Sequence, residues 1–586
     1  MLFGFDLMAG LAESVRSIAC QIDGFEEDFL PEPRPAEARF GDFQANGVLA
    51  HAKRHGRNPR ELATLLAERL QENEELNEAV EIEVAGPGFL NFRFKPLFLQ
   101  RYLALLSDID KLREGARQGI TPLKMVVDFS SPNTAKQMHV GHIRSTIIGD
   151  VLARMLEFQG HKVTRDNHVG DWGTQFGILI LAIQRSGTDL DSLGEAPLEA
   201  LENLYREGNR LIQEDPDLRK IAQAELVKLQ EGDPGNLEVW EKINKISLAA
   251  FEEVYELLGV RFDETLGESF YSDKVDKIYE ELQQTGISEE SDGAMVVFHE
   301  GHPRFAKQPF IVRKSDGASN YATTDLATLK HRVEVFQAKE VIYVTDGRQR
   351  DHFEQLFLTA EKWFAASQRP LPLLKHIWFG TILGEDGKAI KTRSGDPVKL
   401  LDLLKEAIRR ARVIVSEKNP ELPAEEADRI ARVTGLASVR YADLSQNRTS
   451  DYLFEWDKLL ALEGNTAPYL LYAVARIHGI FRKIGLAPGE GEESATPVET
   501  DYEKGLARRL LFFAPALSQT IRELKPHYLC SYLYDLAGDF ASFYNQDKVA
   551  VEEPAIRSRR LILCARTLTV LETGLGLLGI KTLAKM

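Results

Sequence analysis

A short apolar run, Met125-Val126-Val127-Asp128-Phe129, leads through a polar loop into Ile147, Ile148, Val151, Leu152, Met155 and Leu156, which recur at helical spacing until Gly160. A strand with no apolar/polar alternation has to be covered on both faces, and a glycine just past the last periodic residue stops a helix. The same strand signal returns at Lys339-Glu340-Val341-Ile342-Tyr343-Val344 and at His376-Ile377-Trp378-Phe379-Gly380-Thr381-Ile382, each followed by a helical pattern. Strands alternating with helices in this way build an α/β domain with a doubly wound, Rossmann-like parallel sheet. Such sheets bind ligands outside the carboxyl ends of their strands, so the loop after Asp128 is the first place to look for chemistry.

The rest of the chain differs from this segment. Residues 1–115 read as a small α/β module: Asn58 to Ala67 has a helical pattern, and Val80-Glu81-Ile82-Glu83-Val84 and Phe89-Leu90-Asn91-Phe92-Arg93-Phe94 alternate on either side of Gly86-Pro87-Gly88. Residues 116–455 hold the sheet, with a helical insertion at about 185–265. Residues 456–586 show helical periods and no convincing strand, which predicts an all-α bundle. With 586 residues and 44% apolar content, several cores are expected, none needing a metal or disulfide staple.

Three cysteines, Cys20, Cys530 and Cys564, have no CxxC spacing. That speaks against a disulfide framework and a structural zinc site, and for a reducing compartment, the cytoplasm. No run approaches the apolar length of a membrane span, and the first residues lack the order of a secretion signal. The net charge of -17 argues against nucleic acid only if charge is evenly spread. Residues 501–586 carry 12 Lys+Arg against 9 Asp+Glu, so a basic face can coexist with an acidic whole.

The loop after the first strand reads Ser130-Ser131-Pro132-Asn133-Thr134-Ala135-Lys136-Gln137-Met138-His139-Val140-Gly141-His142. Two histidines across a small Gly141, at the start of a helix, can approach one nucleotide and donate hydrogen bonds to phosphate, and unpaired helix N-H groups are expected to join them. The string resembles the HIGH signature of class I aminoacyl-tRNA synthetases, and SSPNTAKQMHVGHIRST resembles their arginyl branch. Asn167 to Gly177, Leu266 to Tyr271, Tyr321 to Asp325, Ser445 to Tyr452 and Gly574 to Ile580 are similar to further motifs of that branch, in the same order.

The resemblance implies ATP-dependent ligation of L-arginine to tRNA-Arg through an arginyl-adenylate, with Mg²⁺ accompanying ATP and no structural metal. It makes His139, His142, Lys136 and Lys391 the expected catalytic residues, with Gly141 and Arg393 beside them at ATP. The family's second signature, KMSK, is degenerate here: the matching place reads Ala389-Ile390-Lys391-Thr392-Arg393-Ser394-Gly395, and Lys136, three before His139, stands in for the missing lysine. For the amino acid, a guanidinium needs fixed carboxylates and an aromatic or hydroxyl partner. Glu268, Tyr321 and Asp325 are the candidates, with Asn133 and Gln349 for the backbone of arginine. Read without the family, Asp325 is a helix cap and Tyr321 half-buried packing; Asp128 either orients the ammonium group or anchors its loop. For tRNA, the resemblance offers Phe89 and Asn91 in a D-loop module and Tyr469, Tyr472 and Met586 in an anticodon domain, and a monomer is expected. Two rival readings, a small-molecule nucleotidyltransferase and a non-catalytic tRNA- or arginine-binding paralogue, lack the accessory domains or leave the intact motif residues unexplained.

Overall fold

The computed structural model describes residues 3–315, 320–391, 397–492 and 496–586. Its centre is a four-stranded sheet made of β1 (Lys124–Asp128), β2 (Lys162–Asp166), β3 (Glu340–Asp346) and β4 (Leu373–Phe379), in the order β4-β3-β1-β2. Every neighbouring pair is parallel, and Asp128 stands level with Tyr343 on one side and Asp166 on the other. Helix α1 (Val140–Phe158) crosses from β1 to β2. Its Gly149 faces the Phe129 ring so closely that an added Cβ would lie 2.2 Å from a ring carbon, which is why helix and strand can pack at this distance.

Between the halves of the sheet lie the helices Pro197–Glu214, Asp217–Gln230 and Pro234–Leu258, the insertion expected from the sequence. A small antiparallel sheet, Glu289–Ser291, Ala294–Val297 and Phe310–Arg313, follows and was not legible in advance. Helix α2 (Tyr321–Glu334) and helix α3 (Arg350–Ala366) flank β3. Among the described residues from Leu400 onward, the regular elements are helices apart from a two-residue strand, Tyr452–Leu453, paired with Ile382–Leu383.

The N-terminal module is a four-stranded antiparallel sheet with helices packed on it. It docks on the C-terminal helices: Phe43 meets Phe512 at 5.2 Å, Phe5 meets Phe513 at 6.3 Å, Arg508 reaches the buried Asp42 at 2.9 Å, and Arg566 donates to the Leu103 carbonyl at 2.9 Å. No described helix is long and apolar enough to cross a membrane.

Candidate active site

The loop after β1 is bent by three non-glycine residues with left-handed backbone, Ser130 (φ 71), Ser131 (φ 47) and Ala135 (φ 64). Such conformations persist only where the surroundings over-determine them. Here the Ser130 amide donates to Ser145 Oγ (2.9 Å), the Ser131 amide to Asn167 Oδ1 (3.1 Å), the Thr134 amide to the Gly170 carbonyl (3.1 Å) and the Ala135 amide to Ser247 Oγ (2.9 Å). Asn133 lies against Gly170, where a Cβ would come within 2.0 Å of its Oδ1.

His139 is the N-cap of α1. Its Nδ1 accepts from the Gly141 amide at 3.0 Å, and His142 Nδ1 accepts from the His139 amide at 3.1 Å, a reciprocal capping box built from two imidazoles. His139 Nδ1 is an acceptor, so that ring carries its proton on Nε2; His142 Nδ1 has the His139 amide at 3.1 Å and the His139 carbonyl at 3.3 Å, and the shorter contact favours the same tautomer. The rings lie 4.1 Å apart. Any side chain at 141 would strike the His139 ring at 2.7 Å, so the glycine is demanded by the first histidine. Burial, reinforced by the charge of His139, pushes His142 down to about 3, and it is neutral at working pH. Burial and the charges of Arg348 and Lys136 lower His139 as well, with Glu202 opposing. One expectation is corrected: the first amides of α1 are not left for phosphate. Val140 donates to the Val398 carbonyl (2.9 Å), Gly141 to His139, and His142 to the His139 carbonyl (2.8 Å).

The same bonds bring the two signatures together. Val140 to Val398 and Leu400 to Met138 (2.9 Å) lay the end of the second-signature loop against the first, antiparallel at His139 and Lys399. Lys136 is exposed, its ammonium 5.2 Å from the centre of the Tyr205 ring. Lys391 is exposed and bridged to Pro397. Arg393 lies outside the described residues.

Beyond the strand ends, Glu268, Tyr321 and Asp325 lie close enough for the Asp325 charge to act on Glu268 and for both carboxylates to act on the Tyr321 phenol. The segment before Glu268 runs along the end of β2, where the Asn167 amide donates to the Glu264 carbonyl (3.0 Å) and the Glu268 amide to the Val169 carbonyl (3.1 Å). Asp171 holds Ser269 through its amide and hydroxyl at 2.8 and 2.6 Å. Burial pushes the Glu268 carboxyl up to about 7; His168 opposes, while Asp171 and Asp325 add to the rise. Tyr321 is 71% exposed, so it is not half-buried packing; partial desolvation of its phenol and the charges of Glu268 and Asp325 raise its pKa. Tyr321 is the first residue of α2, capped by Asn320. Asp325 is therefore no helix cap; its Oδ2 lies 2.5 Å from His352 Nε2. Burial of His352 is overcome by this bond and by the Asp325 charge, so its pKa is raised.

Asp128 has the contacts of a loop anchor. Its Oδ1 accepts from Ser131 Oγ (2.9 Å) and its Oδ2 from Arg332 (2.7 Å), and the same fully buried guanidinium bonds Asp166 at 2.7 and 2.9 Å. Since Arg332 belongs to α2, this bond fixes the helix that carries Tyr321 and Asp325 to the first strand. Gln349 is exposed in the turn after β3, at the start of α3. Sequence reasoning missed His352 and Arg332. Arg332 stands in a helix whose pattern marks it only as the polar face, and nothing local marks a contact across 27 residues for His352.

Of the tRNA candidates, Asn91 is buried (4% exposed) and its Oδ1 accepts from Gln44 (2.7 Å), while Phe89 is half-buried in the edge pair. Tyr469 packs on Tyr534 at 5.6 Å, Tyr472 is exposed under the Arg476 guanidinium (4.6 Å), and Met586 shares with Tyr472, Arg476, Lys483 and Lys548 a groove of about 960 Å³.

Three family models match the chain: an arginyl tRNA synthetase N-terminal domain over residues 7–94, the catalytic domain of tRNA synthetases class I (R) over 105–456, and a DALR anticodon binding domain over 470–586. Arginine-tRNA ligases of Klebsiella pneumoniae (strain 342) and Escherichia coli (strain SE11) are 42% and 43% identical, each over 99% of this chain and 100% of the relative. Two solved structures, the arginyl-tRNA synthetases of Plasmodium falciparum and Thermus thermophilus, superpose with TM-scores of 0.83 and 0.82 at 27% identity, covering 100% and 99% of this chain and all of theirs.

Proposed function

We propose a division of labour among the residues of this chain, which belongs to the arginyl-tRNA synthetases of class I and uses ATP to join arginine to tRNA-Arg. Glu268 and Asp325, with Tyr321, receive the guanidinium: two carboxylates answer a planar cation that cannot lose its charge. Asn133 and Gln349, at the ends of β1 and β3, take the ammonium and carboxylate of arginine. The carboxylate then attacks the α-phosphorus of ATP in line and pyrophosphate leaves. His139 and His142 donate from Nε2 to the phosphate oxygens as charge builds, and as neutral, fixed donors they need no reorganisation. Lys136, Lys391 and Arg393 neutralise the triphosphate, and Mg²⁺ accompanying ATP would supply further positive charge there. A hydroxyl of the terminal adenosine, the 2′ one, attacks the adenylate in the second step. The observation that supports this reading is the electrostatic proximity of Glu268, Tyr321 and Asp325 beyond the carboxyl edge of the same sheet whose first loop holds the two histidines.

The module over residues 1–115 and the helices over 456–586 take tRNA at its D-loop and anticodon, with Phe89, Tyr469, Tyr472 and Met586 as contacts. Asn91 supports Gln44 from within the sheet. The enzyme acts as a cytoplasmic monomer that needs tRNA bound before it activates arginine. ATP-pyrophosphate exchange with and without tRNA-Arg tests this directly: arginine-dependent exchange that appears only with tRNA is expected, and exchange absent under both conditions would sink the assignment.

A further inference from the structure

The N-terminal module holds a cluster that arginine activation does not use. Helix Gly47–Arg54 carries His51, and His55 follows one turn later at its C-cap, so both imidazoles stand on one face, 4.4 Å apart. Glu26 and Asp28 lie against them, and one donor atom from each of the four residues falls within 4.8 Å of the other three. His51 is only 2% exposed, stacked on Phe25 at 5.5 Å and edge-on to Phe29 at 5.3 Å.

The polar contacts of His51 decide its tautomer. Nε2 lies 3.3 Å from the Gly24 carbonyl oxygen and 2.7 Å from Glu26 Oε2; both are acceptors, so Nε2 carries the proton. Nδ1 is left with its lone pair, buried and without a hydrogen-bond partner. It faces Asp28 Oδ1 at 3.5 Å, and the same oxygen is 3.4 Å from His55 Nε2. The other Asp28 oxygen pairs with Arg54. Lone pairs aimed at one another repel unless a cation lies between them.

We propose that His51 Nδ1, Asp28 Oδ1 and His55 Nε2 bind a divalent ion of the zinc class, with Glu26 and the Gly24 carbonyl orienting His51 and water completing the shell. With zinc bonds of about 2.0–2.1 Å, donors at the corners of a tetrahedron are roughly 3.3–3.4 Å apart, close to the two edges found here. Imidazole pairs with carboxylate suit zinc, whereas magnesium and calcium demand more oxygens. A hydrogen bond from the far ring nitrogen to a carbonyl or carboxylate is the usual support of a metal-bound histidine. The missing CxxC pairs exclude a thiolate centre but have no bearing on this donor set. Such an ion would tie the Phe25–Phe29 segment to its helix.

The test uses full-length protein stripped with chelator, exposed to Zn²⁺ or Co²⁺ and desalted. One retained equivalent of zinc and the visible absorption of four-coordinate cobalt are expected for the parent. His55→Ala and Asp28→Asn, both at solvent-accessible positions, should each weaken zinc binding at least tenfold. A parent that keeps no zinc, or equal retention by the parent and both variants, overturns the proposal.

Discussion

The neighbours of Asp325 set what its loss should do. Asp325→Asn keeps the size of the side chain, removes the charge proposed to face the guanidinium, and weakens the bond to His352. Losing such a charge-assisted contact is expected to cost about 2 to 4 kcal/mol, or roughly 30- to 1,000-fold in kcat/KM for arginine, with little change in the KM for ATP. Citrulline, with a carbonyl in place of one guanidinium nitrogen, should be refused less strongly by the variant, because the amide can donate to that carbonyl. Exchange assays with both amino acids decide this, and equal losses for the two would remove Asp325 from specificity. Glu268 adds a pH dependence. Its carboxyl titrates at about 7 in the empty pocket, and a bound guanidinium stabilises the ionised form and pulls that value down. Arginine affinity is therefore complete above pH 7 and should fall by up to about tenfold per pH unit as pH drops below it. Glu268→Gln should bind weakly but with a flatter profile between pH 5.5 and 8, as measured by equilibrium binding with tRNA present. A parent profile that is flat over that range would dissociate Glu268 from the guanidinium.

At the scale of elements, the two signature loops act as one unit because β-like hydrogen bonds join Val140 to Val398 and Leu400 to Met138. His142→Ala removes a donor and the support of the His139 amide together, and should lower adenylate formation by about 10²-fold or more while arginine binding changes little. Lys136→Ala should be of similar severity if it stands in for the missing second lysine. A silent Lys136→Ala beside a severe Lys391→Ala, in pre-steady-state adenylate formation, would refute the compensation. What could be read from sequence at this scale followed locality. The β1-loop-α1 unit declares itself within 36 consecutive residues, and the helical insertion is likewise one continuous stretch of chain. By contrast, β2 (Lys162–Asp166) is polar enough to hide, and Glu289-Glu290-Ser291 has no apolar alternation at all, so the small sheet it starts exists only through its partners. The pair Phe89 and Asn91 shows the reverse difficulty. Alternation is present, but both faces of that strand are largely covered, so the pattern could not say that Asn91 points to Gln44 inside the molecule.

Across the whole molecule, buried arginines join elements that are distant in sequence. Arg144 of α1 reaches Asp443 (3.0 Å) and the Ser450 carbonyl (3.1 Å), and Arg440 bonds Asp150, the Leu258 carbonyl (2.8 Å) and the Leu578 carbonyl (2.6 Å). The glycine-rich string near the C-terminus, recognisable in sequence only by family likeness, acquires a physical reason here. Gly579 has φ 71, and a Cβ on it would lie 2.2 Å from Arg440 Nη2; Gly576, three residues earlier, has nothing within 4 Å. Gly579→Ala should therefore lower the apparent melting temperature by a few degrees, through strain and displacement of Arg440, about 1 to 3 kcal/mol. Gly576→Ala, in the helix Pro554–Leu577, should be neutral or raise stability by about 0.5 to 1 kcal/mol. Thermal denaturation of the two variants side by side checks the contrast, and identical shifts would refute it.

The docking of the first domain on the last has a consequence for biosynthesis. Phe5, Phe43 and the buried carboxyl of Asp42 leave the ribosome early, whereas Arg508, Phe512 and Phe513, which cover them, come roughly 470 to 510 residues later, about 25 to 100 seconds at 5–20 residues per second. During that interval the aromatic face is open to water and Asp42 lacks its cation. A nascent chain that stalls before residue 508 therefore presents a folded module with a greasy, unpaired side, and this is the surface through which chaperones and proteases would recognise an unfinished molecule.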